Sequence, residues 1–170
     1  MTVTIRAASD DDRDAITELH NVLLPTTTTE WRDEPHDPAD RAAWMAGKTE
    51  RGFPVLVADD DGDVVGWATY GDFRDSIVRP GYRFTVEHTI HVAESHWGTG
   101  VASALIEALV AEAEAAGLRV MVGALDGDNE RSIRFHERHG FVVTARMPGI
   151  GEKFGRRLDL VLLQRELDPR

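Results

Sequence analysis

Thr85-Val86-Glu87-His88-Thr89-Ile90-His91-Val92 runs into Ala93-Glu94-Ser95-His96-Trp97-Gly98-Thr99-Gly100 and on into Val101-Ala102-Ser103-Ala104-Leu105-Ile106. The first part belongs to a strand expected over Phe84 to Val92, with Val86, His88, Ile90 and Val92 on one face and Glu87, Thr89 and His91 on the other. The last part opens a helix whose Val101, Ala102, Leu105, Ile106, Leu109, Val110 and Ala113 form one apolar stripe. Between them lie two glycines at a helix N-terminus. There, main-chain N–H groups point outward without side-chain obstruction and the helix dipole favours negative charge, so the loop suits an anion such as a phosphate. An ordinary glycine-rich turn that starts a helix fits the same spacing. Among phosphate binders, a P-loop is excluded because no Gly-Lys-Ser/Thr follows. A dinucleotide fingerprint is half present as Gly98-x-Gly100-x-x-Ser103, with Asp126 as a strained choice of ribose-binding acid, but its glycines should directly follow the first strand of a parallel unit. A cradle for the diphosphate of coenzyme A is the third reading.

Outward from this stretch the chain reads as alternating elements. Val3 to Arg6 is a short first strand, and Ser9-Asp10-Asp11-Asp12 caps a helix carrying Ile16, Leu19, Val22 and Leu23, which Pro25 ends. Thr26 to Thr29 is a polar loop, and Asp37-Pro38 opens a second helix with Trp44 and Met45 on its apolar face. Val55 to Ala58 and Val64 to Tyr70 flank an acidic turn with Gly62 and form a hairpin. After the glycine loop and its helix, Gly117 is a stop, Arg119 to Leu125 a strand, and Asp128-Asn129 a cap for a helix to about His139. Phe141 to Ala145 and Leu158 to Gln164 close the chain as strands. The order βααβββαβαββ predicts an α/β fold: a mixed central sheet, antiparallel in its N-terminal part and βαβ-like in its C-terminal part, with helices on both faces.

Composition bounds the function. The 170 residues suit a single domain spanning 1–170, and a chain near that length buries about 70% of its unfolded surface. Thirty acidic residues against 19 basic ones, a net charge of −11, argue against a binder of nucleic acid or of anionic membranes. The absence of cysteine excludes a disulfide scaffold, a thiolate metal site and a cysteine nucleophile, and suits a reducing cytosol. The N-terminus lacks the apolar core of a signal peptide, and Glu107 and Glu112 interrupt the richest apolar stretch, so a soluble cytoplasmic protein is expected. His88, His91, His96 and His139 lack helical i,i+4 ligand spacing and no metal is expected. Glu87 sits mid-strand, where a carboxylate is costly unless paired or functional; a sheet-surface glutamate paired with arginine and a general base both fit.

Several stretches together resemble the GNAT superfamily of N-acetyltransferases, and within it the phosphinothricin and methionine sulfoximine acetyltransferases. They are Gly52-Phe53-Pro54-Val55-Leu56-Val57-Ala58, Val65-Gly66-Trp67-Ala68-Thr69-Tyr70-Gly71, Tyr82-Arg83-Phe84-Thr85-Val86-Glu87-His88, and Asn129 through Ser132 to His136-Glu137-Arg138-His139-Gly140-Phe141. The likeness runs from Ile5 to about Leu167. It implies the GNAT acyl-CoA N-acyltransferase fold and direct transfer of acetyl from acetyl-CoA, a co-substrate, to the amino group of a small amino-acid-like acceptor in a ternary complex. An amine, a polyamine or a peptide N-terminus as acceptor, and a non-catalytic acyl-CoA sensor, are the competing readings.

The family's loop, Gln/Arg-x-x-Gly-x-Gly/Ala, maps onto Trp97 to Ala102, with Trp97 in place of Gln or Arg. The resemblance assigns Val92, Gly98, Thr99, Gly100, Ala102, Ser103, Asn129 and Ser132 to the coenzyme, the Val92 N–H doubling as oxyanion donor; Asn129 is equally a helix cap. It makes Glu87 the base, acting directly or through a water. His136, where many relatives have tyrosine, is a general-acid candidate, against a histidine packed on a helix face. Phe73, Arg74, Tyr82 and Arg83 are its acceptor-binding choices, with the arginines on the acceptor carboxylate. The Thr26 to Trp31 segment also resembles family pocket residues. The motif Lys-x-Gly-x-Trp-x-Asp maps onto Lys153 to Asp159 with Arg157 in place of tryptophan. The family it resembles pairs its subunits through the C-terminal strands, so the resemblance implies a homodimer.

Overall fold

The computed structural model describes residues 3–169. Among these, seven strands and four helices follow the predicted order: β1 (Thr4–Ala7), α1 (Arg13–Leu23), α2 (Pro38–Glu50), β2 (Val55–Asp60), β3 (Asp63–Asp72), β4 (Thr85–Val92), α3 (Val101–Ala115), β5 (Val120–Asp126), α4 (Glu130–Arg138), β6 (Val142–Lys153) and β7 (Arg156–Glu166). The strands form one mixed sheet in the order β1-β2-β3-β4-β5-β7-β6. β1, β2 and β3 pair antiparallel, β4 and β5 pair parallel, and β7 lies antiparallel between β5 and β6. No described helix is long and apolar enough to cross a membrane.

The chain divides into two compact units. The first comprises Met1–Val22, His36–Gly71 and His88–Glu112; the second comprises Leu23–Pro35, Asp72–Glu87 and Ala113–Arg170. The first is built on a buried cluster of Ile16, Met45, Val57 and Trp67, with Leu19, Trp44, Val55 and Val64 packed against it. Its acidic opening is a capping box. The Ser9 N–H donates to Asp12 Oδ2 at 2.7 Å, while Asp12 takes two hydrogen bonds from the Arg6 guanidinium at 2.7 and 2.8 Å. The Asp60/Asp63 hairpin turns through Asp61 and Gly62, both at positive φ (54° and 100°), as a two-residue turn of this kind demands. Gly66 on β3 has a different reason. A Cβ there would stand 3.1 Å from the His91 carbonyl oxygen and 3.1 Å from Leu105 Cδ1, so only glycine lets β4 and α3 pack this closely on β3.

In the second unit, β6 departs from expectation. The sequence reading ends this strand at Ala145 and starts the last strand at Leu158. Instead the β6–β7 ladder runs to Lys153↔Arg156, with irregularities between Val143 and Ala145 and between Met147 and Gly151. β6 is an edge strand, where a missing proline N–H costs no ladder bond, and bulges absorb the glycines. The turn closes through Phe154 (φ 53°) and Gly155 (φ 69°).

Candidate functional site

The first unit holds the glycine loop. Gly98 and Gly100 take φ of +79° and +98°, and a Cβ at either would project into space with no other protein atom within 4 Å. The strain of a side chain, not crowding, therefore reserves both positions for glycine. The Ala104 N–H donates to the Gly100 carbonyl at 3.0 Å and starts the α3 ladder. The amides of Val101 and Ala102 lie in the first turn of α3, before the first rung of its ladder, the position at which a helix N-terminus holds an anion. No acidic side chain occupies the first turn of α3, whereas α1, α2 and α4 carry Asp14, Asp40 and Glu130 there. A negatively charged coenzyme tail fits this cradle. Trp97 earns its place differently from the Gln or Arg of the family motif: its indole N–H donates to the Val92 carbonyl at 2.8 Å and ties the loop to the end of β4. The Ala93 N–H donates to Val65 of β3 at 2.9 Å. Successive amides of a strand face opposite edges, so the Val92 N–H is directed to the edge away from β3.

The second unit holds the expected chemistry. Glu87 is half-buried on β4 and is the last β4 residue registered with β5, opposite Val122. Burial pushes its carboxyl above the ordinary carboxylate range, and the Arg74 cation partly opposes that rise. Arg74 is exposed beside Phe73, and the rings of Phe73 and Tyr82 lie 6.2 Å apart. Ring contacts thus join Arg74, Phe73 and Tyr82, and the Arg74 charge is felt at Glu87. Arg83 donates to the Pro80 carbonyl at 2.8 Å through one guanidinium nitrogen and lies 4.4 Å over the Phe84 ring.

Asn129 caps α4, its side-chain oxygen accepting from the Ser132 N–H at 3.1 Å, which leaves its amide nitrogen to a ligand. His136 is 1% exposed, stands 2.7 Å from the Ser132 carbonyl through Nδ1, and meets Phe135 and Phe141 edge-on. A carbonyl partner puts the proton on Nδ1, and burial lowers the pKa, so at neutral pH this is a neutral imidazole packed under the helix. Asp126, the acid of the dinucleotide reading, instead accepts from the Asp128 N–H at 3.1 Å and shapes the turn after β5. His91 is stacked on Trp67 at 4.8 Å and His96 pairs with Asp60 at 3.3 Å.

Two features escape the sequence reading. Lys153 is 3% exposed and donates to the carbonyls of Thr27 (2.9 Å) and Glu30 (2.6 Å). Arg157 donates to the Gly149 carbonyl at 3.1 Å and lies across the backbone there, where a Cβ would meet its guanidinium. A lysine in a polar hairpin carries no mark of burial in composition or periodicity.

Known proteins with these features agree on one family. An L-methionine sulfoximine/L-methionine sulfone acetyltransferase from Pseudomonas aeruginosa is 42% identical over 170 residues, covering 99% of this chain and 97% of that protein. An L-amino acid N-acyltransferase from Escherichia coli is 41% identical, covering 99% and 96%. The crystal structure of a GNAT superfamily phosphinothricin acetyltransferase from Sinorhizobium meliloti in complex with acetyl-CoA superposes with a TM-score of 0.93 at 34% identity, covering 98% of this chain and 89% of that one. Residues 16–141, which contain the glycine loop, Glu87 and the capped α4, match the acetyltransferase (GNAT) family, and the chain belongs to it.

Proposed function

We propose that this chain transfers acetyl from acetyl-CoA to the α-amino group of a small amino-acid-like acceptor of the methionine sulfoximine, methionine sulfone or phosphinothricin type. Relatives named for these acceptors cover nearly the whole chain, and the observation that carries the mechanism is the half-buried carboxyl of Glu87 on β4, opposite Val122 of β5. Bound acetyl-CoA supplies an activated acyl thioester. The residues of this chain do the rest. An α-amino group has a pKa of about 8, so most of it arrives protonated at neutral pH. A carboxylate raised above its usual range is better matched to that proton than an ordinary one, and Glu87 takes it directly or through a water. Arg74 holds the acceptor carboxylate, with Phe73 and Tyr82 as walls; Arg83 is the weaker anchor because of its bond to Pro80. The amides from Gly98 to Ser103 hold the diphosphate, with Thr99 and Ala102 in the same turn, and the Val92 N–H receives the oxyanion. Asn129 and Ser132 flank the pantetheine arm. His136 packs α4 with its Nδ1 proton held by the Ser132 carbonyl, and the second proton lost by the attacking nitrogen goes to the departing sulfur, which leaves as the free thiol. With no cysteine to carry an acyl group, transfer is direct.

We also propose a homodimer formed through the C-terminal strands. Val142, Met147, Ile150 and Phe154 of the β6–β7 hairpin are 41 to 60% exposed, an apolar surface suited to a second copy.

The test is free-thiol release from acetyl-CoA across phosphinothricin, methionine sulfoximine, methionine sulfone and ordinary amino acids, for wild type and Glu87→Gln. Turnover of at least one acceptor, lowered about 10²-fold or more in the variant with coenzyme affinity retained, is the expected result. Coenzyme binding without turnover of any acceptor would leave a sensor instead.

A further inference from the structure

Leu23–Pro35 lies between α1 and α2, two helices of the first compact unit, yet it belongs to the second unit with the Asp72–Glu87 segment that carries Phe73, Arg74, Tyr82 and Glu87. Between α1 and α2, the Thr26 and Thr27 N–H groups and the Thr27 hydroxyl donate to the Leu23 carbonyl at 3.4, 3.0 and 2.7 Å, the Thr29 N–H donates to Thr27 Oγ at 3.4 Å, and Thr27 and Thr29 share a hydroxyl contact. The stretch is also held from far along the chain. The Lys153 ammonium bridges two carbonyls, those of Thr27 and Glu30, more than 120 residues away in sequence. Two residues earlier on the same strand, the α-carbon of Gly151 lies against the indole of Trp31 so closely that a Cβ would overlap the ring.

Burying a lysine is costly, and burial lowers its pKa while Asp33 and Glu30 work to keep it charged. A hairpin needs no such cation at its end for its own ladder. Both of the bonds recorded for the ammonium go to one loop, and no carboxylate takes either of them. We infer that Lys153, with Gly151 beneath Trp31, is a positioning residue that clamps the Thr27–Trp31 loop in the shape that receives the acceptor. The bonds use main-chain carbonyls and so fix the backbone course while leaving the loop's side chains to select the acceptor. The inference rests on the acetyltransferase reading above and deepens it on the acceptor side.

The experiment compares Lys153→Met, Gly151→Ala and the double variant Gly151→Ala/Trp31→Ala with wild type, measuring the KM for the best acceptor and for acetyl-CoA separately. Lys153→Met, which removes both charged hydrogen bonds, and Gly151→Ala, whose methyl displaces the Trp31 ring, should each raise the acceptor KM about tenfold or more, with the acetyl-CoA KM unchanged. Removing the Trp31 ring should restore part of the loss in the Gly151 variant. An acceptor KM within twofold of wild type, or both KM values rising together, overturns the clamp. Should the variants fail to fold, hydrogen exchange of wild type decides: acceptor should slow exchange of the Thr27–Trp31 amides, and unaltered rates overturn the inference. Absence of wild-type turnover on every acceptor would instead strike the acetyltransferase reading.

Discussion

At the scale of single residues, the proposed chemistry turns on how one carboxyl is held between two opposed influences. Burial raises the Glu87 pKa and Arg74 restrains the rise. With Glu87 as the proposed base, the acid limb of the pH–rate profile should therefore lie above the range of an ordinary glutamate, because a base acts in its deprotonated form. Arg74→Ala removes the restraining cation. We expect the acid limb to move further toward alkaline pH and the acceptor KM to rise about tenfold, since a charge-assisted bond is lost; a profile superimposable on wild type would discredit the pairing. Glu87 was legible in the sequence as a costly carboxylate on a strand, with its role supplied by resemblance. Arg74 and Arg83 were legible only as an equal pair, because the turn at Pro80 that takes up Arg83 depends on a local fold no spacing encodes. Likewise the tie of Trp97 to Val92 explains a motif departure that composition leaves unexplained.

At the scale of elements, the glycine loop separates backbone strain from ligand contact. Gly100 and Gly62 have nearly the same φ, +98° and +100°, with open space around both, but one lies at the N-terminus of α3 and the other in a hairpin turn. Alanine at either should cost similar stability, about 1 kcal/mol, through the left-handed backbone. Only Gly100→Ala should raise the acetyl-CoA KM, and equal coenzyme affinity in the two variants would remove the loop from the binding site. The elements themselves were readable wherever periodicity, caps and glycine stops agreed, as for α3 with its buried Leu105, Ile106 and Leu109 and for α4 under Asn129. They were misread at β6, where Pro148 and two glycines mark a turn in any local scheme. Position at the sheet edge, a property of the whole topology, decides otherwise.

At the scale of the whole molecule, stability should fall in acid in a defined window. The Asp12 carboxylate, bonded to Arg6 and to the Ser9 N–H, has its pKa lowered to about 2, below the unfolded value near 4. A depressed carboxylate pKa contributes stability that is complete above the unfolded value and is lost as pH falls through the folded one. About 2 kcal/mol should thus disappear between roughly pH 4 and pH 2. Asp12→Asn should be destabilised by a comparable amount at neutral pH in urea titrations and should show a flatter response across that window; an unchanged midpoint would show that the capping box contributes nothing. The edge strand carries a different consequence. In a single chain β6 is an edge strand with exposed apolar side chains, the arrangement that invites strand after strand to add wherever the proposed second copy does not cover it. With Pro148 lacking a donor and the ladder twice out of step, an incoming strand finds no long uninterrupted row to match. The irregularities that hid this strand from a reader of the sequence also hide it from stray chains in a crowded solution.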